Sequence, residues 1–279
     1  MVETSSDALN QNTPNKSEET KKKAQDSDIF SLENFKSLCI MLLVVFVIRS
    51  CVVAPYEVPT PSMEPTIKVG DRIVANKLAY SLRLPFVGIE LIRWGKIKRG
   101  NIIVFGYPAN PNIDYVKRVV GVGGDSIQII GDILYINSKP VPRVSHEHDR
   151  SILSDVKDQK KDLYVESIGD YNFFVTHNSK GPQSLSPQNW PAEGGNYHIP
   201  EDGVFVMGDN RDNSHDSRRW LYVPLSYVKG KAEMVLWSSK SSASYFPNLR
   251  WQRFFSTLYQ DINLNVYPET KDQNEEAES

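Results

Sequence analysis

From Leu38 to Ile48 every residue is apolar, and counted from Phe35 through Ala54 the stretch has the roughly 20 residues that cross a bilayer core. Only Lys36, Ser37 and the Arg49-Ser50 pair interrupt it. The pattern predicts a single anchor helix over 35–54, with Arg49 snorkelling to the interface. Residues 1–34 carry Ser, Asn, Glu and Lys with few large apolar side chains, too little to offset the entropy of ordering, so a disordered arm is expected. Past Pro59 the pattern changes. Short runs rich in Val, Ile, Tyr and Phe, separated by Gly, Pro and Asn, recur at 72–75, 101–105, 116–122, 126–130, 133–136, 172–176, 204–207 and 232–237. They have strand length and composition, and no stretch there keeps helical periodicity for four turns. The prediction is a mainly β, antiparallel body, with Ile130-Gly131-Asp132-Ile133 as a hairpin turn.

Polarity divides that body further. Arg143 to Asp162 is strongly polar and Ser179 to Asn196 is dense in Pro, Gly, Gln and Asn, so a β core over 55–140 and 201–245 is expected to carry a smaller inserted region over 141–200. In the tail, 246–279, Phe246-Pro247-Asn248-Leu249-Arg250-Trp251-Gln252-Arg253-Phe254-Phe255 interleaves aromatics with arginines. That pattern suits a membrane interface and equally an amphipathic segment capping a core. Gln273 to Ser279 reads as a solvated acidic end.

Charge orients the chain. Lys16, Lys21, Lys22, Lys23 and Lys36 precede the apolar segment or stand at its start, and after Arg49 the next basic residue is Lys68. The positive-inside rule then puts the amino terminus in the cytoplasm and the body outside. A net charge of −2, with acids and bases mixed along 279 residues, gives no nucleic-acid footprint. Both cysteines, Cys39 and Cys51, fall in the apolar segment; twelve residues of helix separate them by about 18 Å, too far for a disulfide.

Candidate chemistry concentrates in four stretches: Pro61-Ser62-Met63-Glu64-Pro65-Thr66, Gly70-Asp71-Arg72-Ile73, Tyr115 to Asp125, and Gly208-Asp209-Asn210-Arg211-Asp212-Asn213-Ser214 running on to Asp216-Ser217-Arg218. Pro59, Pro61 and Pro65 fix φ around Ser62 and hold it in a rigid, extended turn. A serine hydroxyl needs a neighbouring base before it attacks a carbonyl. None of the five histidines lies in the Ser62 or Lys117 stretch: His146, His148 and His177 fall in the insertion, His198 precedes Asp209, and His215 follows Ser214. Lys117 sits in an apolar run of strand character, where alternation buries it on the side opposite Val116 and Arg118. Burial lowers a lysine pKa, and a fall of about 3 units from about 10.4 would make Lys117 a base near neutrality. Asp209, Asp212 and Asp216 have the composition of a hard-cation site, but Arg211 and Arg218 among them count against one.

In order and spacing, behind one apolar segment, these four stretches resemble the boxes of bacterial type I signal peptidase, a serine protease whose base is a lysine. The resemblance implies a β catalytic core interrupted by a variable region, Ser62 as nucleophile and Lys117 as its general base, with no cofactor and no metal. It implies the Ser62 backbone N–H and the Thr60 hydroxyl as oxyanion donors, Ser214 as a hydrogen-bonding orienter of Lys117, and Asp209, Asp216 and Arg218 as braces of the loop. It places Tyr56, Val58, Met63, Ile67, Ile73, Val104, Tyr115 and Val116 along pockets for small side chains, reached by an extended peptide. The expected partners are signal-peptide-bearing preproteins and membrane lipid, and the expected location is the bacterial inner membrane. One departure is Gly123, where the family usually has proline. The self-cleaving repressor proteases share a Ser/Lys dyad but carry a DNA-binding helical domain in place of this apolar segment and long insertion. A membrane-anchored β adaptor that only binds peptides would have no use for both Ser62 and Lys117.

Overall fold

The computed structural model describes residues 32–83, 90–146, 151–153, 161–178, 195–240 and 248–262. Residues 1–31 of the expected arm, most of the polar stretch Ser179–Asn196 and the acidic end Gln273–Ser279 lie outside the described residues.

The chain divides into two compact units, Met1–Arg49 and Ser50–Ser279. A helix runs over Leu32–Cys51, where the anchor was predicted, and takes in the last three residues of the expected arm. It stops short of Ala54 because Val52 and Val53 favour extended backbone and Pro55 disfavours helical φ/ψ at the residue before it. Val53–Glu57 is instead a strand. Among the described residues no helix is long and apolar enough to cross a membrane. The uninterrupted run Leu38–Ile48 is only about 16 Å long at the helical rise, against a hydrocarbon core of about 30 Å.

The second unit is built on a seven-stranded antiparallel sheet. Its strands, from one edge to the other, are Val53–Glu57, Asp71–Asn76, Val228–Ser238, Ile102–Tyr107, Asn110–Val122, Gly203–Met207 and Val223–Pro224. Every strand predicted from the apolar runs is present, several of them longer than the run that marked them. The hairpin at Gly131 forms as expected, with Ile130 opposite Ile133 and a positive φ of 61° that glycine adopts without strain.

Besides a two-stranded pair, Ser81–Arg83 with Glu90–Arg93, two smaller sheets accompany the large one. Ser126–Ile130, Ile133–Ile136 and Lys139–Pro140 form a sheet with Tyr197–His198, so residues expected to belong to the core pair across the insertion. Arg143–Ser145, Lys161–Ile168 and Tyr171–Asn178 form the other. The strand at 161–168 was not among the predicted runs, because Lys161, Asp162 and Glu166 dilute its apolar pattern. Two of these polar side chains, however, turn inward: Lys161 and Glu166 are both buried.

The large sheet is covered on both faces. On one, Ile73, Ala75, Ile102, Val104, Ala232 and Val235 pack with Val58, Met63 and Ile67 from the segment around Ser62. On the other, Ile103, Phe105, Val119, Val204, Val206 and Val223 form a second cluster. The segment that carries Ser62 is thus seated on the sheet by its own apolar neighbours.

Candidate active site

Thr60 is extended, and Pro61–Met63 then makes a single 3-10 turn with the proline at its start. Met63, 1% exposed, anchors the turn in the core, and Ser62 beside it is buried at the floor of a cleft. Gly208 lets a second chain segment approach from behind. A Cβ there would fall 2.3 Å from the Ser62 carbonyl oxygen and 2.3 Å from Ser214 Oγ. Through this gap the backbone N–H of Asn210 donates to the Ser62 carbonyl at 3.2 Å.

Lys117 comes from the strand Asn110–Val122, paired opposite Ile103. Its Nζ donates to Ser62 Oγ at 2.6 Å and to the Val116 carbonyl at 2.9 Å. The side chain is 4% exposed. Burial pushes its pKa down from 10.5 to about 8; Asp216 and Asp209 resist the fall and Arg218 adds to it. Thr60 Oγ1 lies 3.3 Å from Ser62 Oγ on the solvent side. Alternation does put Lys117 and Arg118 on opposite faces, and the structure shows that both faces are interior, for Arg118 is 1% exposed.

The loop after Met207 is braced by ion pairs. Asp209 takes a bidentate pair from Arg118, Nε to Oδ1 at 2.8 Å and Nη2 to Oδ2 at 2.7 Å, and a hydroxyl from Thr66 at 2.5 Å. Arg118 also stacks on Phe173, its guanidinium carbon 3.9 Å from the ring centre. Asp216 caps the short helix Ser217–Trp220, accepts from Gly208 N–H at 3.0 Å and pairs with Arg218 at 2.9 Å. Burial would raise the Asp216 carboxyl, but Arg218, with Ser214 and the Gly208 N–H, outweighs it and holds the pKa below the usual range. Arg218 reaches on to the Arg211 carbonyl at 2.5 Å, and Arg211 is itself paired with buried Glu166.

Ser214 differs from the expectation. It is buried in the same cleft, but no hydrogen bond joins it to Lys117, whose bonds go to Ser62 and Val116. Ser214 Oγ lies near Asp216 without a hydrogen bond of good geometry to any group.

The cleft has a volume of about 530 Å³ and is lined by Val58, Met63, Tyr115 and Val116 among the expected pocket residues. Tyr56, Ile67, Ile73 and Val104 do not line it. Ile67, Ile73 and Val104 are fully buried in the core cluster beneath, with Tyr56 packed against it. Polar Asp114, His215 and Arg219 complete the rim.

Among the described histidines, His215 stands at the rim of the cleft with its ring edge-on or tilted against Tyr107, Tyr115 and Trp220. His177 is buried 3.8 Å from Asp212, and burial followed by Arg211 and Arg143 depresses its pKa to about 3. Arg118, Asn210, Thr66 and the Glu166–Arg211 pair went unrecognised in the sequence. Arg118 adjoins Lys117 and Asn210 follows Asp209, but nothing local says which way either side chain turns.

The sequence matches the family model described as signal peptidase, peptidase S26, over residues 31–237. A signal peptidase I of Pseudomonas fluorescens is 34% identical over 230 residues, 78% of this chain and 76% of the relative. One of Aquifex aeolicus is 33% identical over 225 residues, 73% of this chain and 83% of the relative. The crystal structure of a signal peptidase I from Enterococcus faecalis aligns with 49% of this chain and 96% of that one at 25% identity, with a TM-score of 0.28, a value that carries no weight for the architecture. By the extent of the family match and of the likeness to these relatives, the chain belongs to the signal peptidase family, peptidase S26.

Proposed function

We infer that this chain is a serine endopeptidase that removes signal peptides from preproteins, with Ser62 as nucleophile and Lys117 as its base. The observation that carries the assignment of residues is the 2.6 Å contact between Lys117 Nζ and Ser62 Oγ, made by a lysine buried in an apolar sheet. With a pKa of about 8, Lys117 is neutral in roughly a tenth of molecules at pH 7, where an ordinary lysine is neutral in fewer than one in a thousand.

Neutral Nζ takes the Ser62 proton as Oγ forms a bond to the scissile carbonyl carbon, and the carbonyl π pair moves to oxygen. The Ser62 N–H and the Thr60 hydroxyl are the donors for that oxyanion. Collapse breaks the C–N bond, and the Lys117 ammonium returns its proton to the leaving amine. Water, deprotonated by the same Nζ, then opens the ester and frees the serine. Ser214 Oγ, a buried hydroxyl that lines the same cleft beside Asp216, is the acceptor we assign to the ammonium. Asp209, Asp216 and Arg218 hold the loop that walls this side.

Substrate selection follows from the lining. Val58, Met63 and Val116 leave shallow apolar space beside Ser62, which suits small side chains. Along Asn110–Lys117 the strand pairs with Ile102–Tyr107 on one side, and its pairing with Gly203–Met207 begins only at Arg118. The free side offers main-chain groups to an extended peptide. Attachment through the apolar run inside the helix Leu32–Cys51, in place of the 35–54 expected, with the amino terminus in the bacterial cytoplasm and the body from Val53 onward outside, is supported by that run and the lysines before it. The division into a β core over 55–140 and 201–245 with an insertion over 141–200 belongs to the same reading.

The test is to incubate detergent-solubilised full chain with a preprotein and sequence the new amino terminus. Cleavage after a small residue at the signal-peptide boundary is expected, and Ser62→Ala and Lys117→Arg should both be silent, the second because a guanidinium cannot accept the proton. Turnover by Lys117→Arg above a small fraction of wild type would remove Lys117 from the base role.

A further inference from the structure

A second buried lysine acts on the serine turn from behind. Lys161 opens the strand Lys161–Ile168, is 4% exposed, and donates from Nζ to Asn210 Oδ1 at 2.7 Å. Thr176 Oγ1, on the neighbouring strand, donates to the same oxygen at 3.3 Å. An ammonium has only protons to offer, so it fixes which end of the amide faces it. The other end, Asn210 Nδ2, then donates to the Pro61 carbonyl at 2.9 Å, while the Asn210 backbone N–H holds the Ser62 carbonyl at 3.2 Å. One asparagine, 1% exposed, thus grips the carbonyls on both sides of Ser62.

The Pro61 carbonyl shares a rigid peptide plane with the Ser62 N–H, and in a trans peptide the two point in opposite directions. Pinning that oxygen therefore aims that N–H. We propose that Lys161 and Asn210 form a positioning pair in which the ammonium orients the amide and the amide aims the Ser62 N–H at the developing oxyanion. The inference rests on the Ser62/Lys117 reading above. The surroundings are built to match. Thr176 N–H donates to the Asp209 carbonyl at 2.9 Å, Asn178 N–H donates to Asp212 Oδ2 at 2.6 Å, and Glu166 pairs with Arg211. The strand pair from the inserted region is thus fastened to residues 209–212 along their length, so that Asn210 stands on a fixed wall.

Asn210→Asp and Lys161→Met separate this role from simple bracing. The aspartate replacement would keep an oxygen for the ammonium but turn a second oxygen, with no proton, toward the Pro61 carbonyl. On a peptide spanning a signal-peptide junction, the full-length Asn210→Asp variant should lose about 30-fold in kcat with KM within about threefold, as expected when an oxyanion donor is misaimed. Lys161→Met should lose about tenfold in kcat, a somewhat smaller effect because the amide itself remains. Because the two residues act in series, Lys161→Met in an Asn210→Ala background should be no worse than Asn210→Ala alone. The midpoint of the rising pH limb should stay at its wild-type value in Lys161→Met and Asn210→Ala, which add no charge beside Lys117, whereas the carboxylate of Asn210→Asp should move it upward as Asp216 and Asp209 do. Wild-type kcat in Asn210→Asp, multiplicative losses in the double variant, or a loss that only tracks a fall in folded fraction on melting would each overturn the proposal. Ser62→Ala and Lys117→Arg run alongside: turnover by either would instead sink the Ser/Lys reading.

Discussion

Replacing Lys117 by methionine should make this protein more stable at neutral pH while abolishing its activity. The folded state lowers the lysine pKa from 10.5 to about 8 by burial, so at pH 7 folding works against a proton the unfolded chain holds more tightly. A shift of between two and three units corresponds to about 3 kcal/mol. Methionine fills much of the same space without charge, and it gives up the bonds to Ser62 Oγ and the Val116 carbonyl, a loss of about 1–2 kcal/mol. The net expectation is a gain of about 1–2 kcal/mol, or a few degrees in melting temperature. The sign with pH follows from proton counting. Below about pH 8 both states of the wild type hold the lysine proton and the penalty is complete; between about 8 and 10.5 the folded state binds fewer protons than the unfolded one, so wild-type stability rises. The variant lacks this group, and its advantage should shrink as pH rises through that window. Paired thermal melts at about pH 7 and about pH 9.5, on either side of the folded-state midpoint, measure it. A variant less stable than wild type at pH 7, or an advantage that does not change with pH, would refute the assignment of burial as the cause of the lowered pKa.

Three further outcomes are expected. The rate on a soluble peptide should rise with pH to a midpoint near 8, because only neutral Lys117 accepts the proton, and His215→Ala should leave that midpoint in place; a pH-rate profile of each checks it. Gly208→Ala should cost both stability and turnover, since its Cβ would stand 2.3 Å from the Ser62 carbonyl oxygen, backbone that cannot step aside without moving the nucleophile; melting temperature and kcat read the two together. Arg118→Met should destabilise by about 3–5 kcal/mol by leaving the Asp209 carboxylate buried without its partner, and denaturant titration measures the loss.

What the sequence by itself determined was the mainly β class of the body and the stretches to which the proposed chemistry is assigned. Apolar runs of strand length at 72–75, 101–105, 116–122 and 204–207 specify strands because side chains alternate and both faces of this sheet are covered. Prolines 59, 61 and 65 announce a stiff turn at Ser62, since their effect on φ is local. The sequence did not yield partners. Nothing near Lys161 indicates that its ammonium ends 2.7 Å from Asn210 Oδ1, forty-nine positions along the chain, or that Arg118 and Asp209 close a buried ion pair across ninety-one. Ile67, Ile73 and Val104 have the apolar character a pocket needs, and the tertiary structure instead buries them in the core below it. Ser214 has the right chemistry for a bond to Lys117, and the structure turns it toward Gly208 and Asp216. Periodicity and turn chemistry act over a few residues, so they can be read along the chain. The direction of a buried polar side chain is set by whichever distant group satisfies it, and that group is known only once the strands have been brought together.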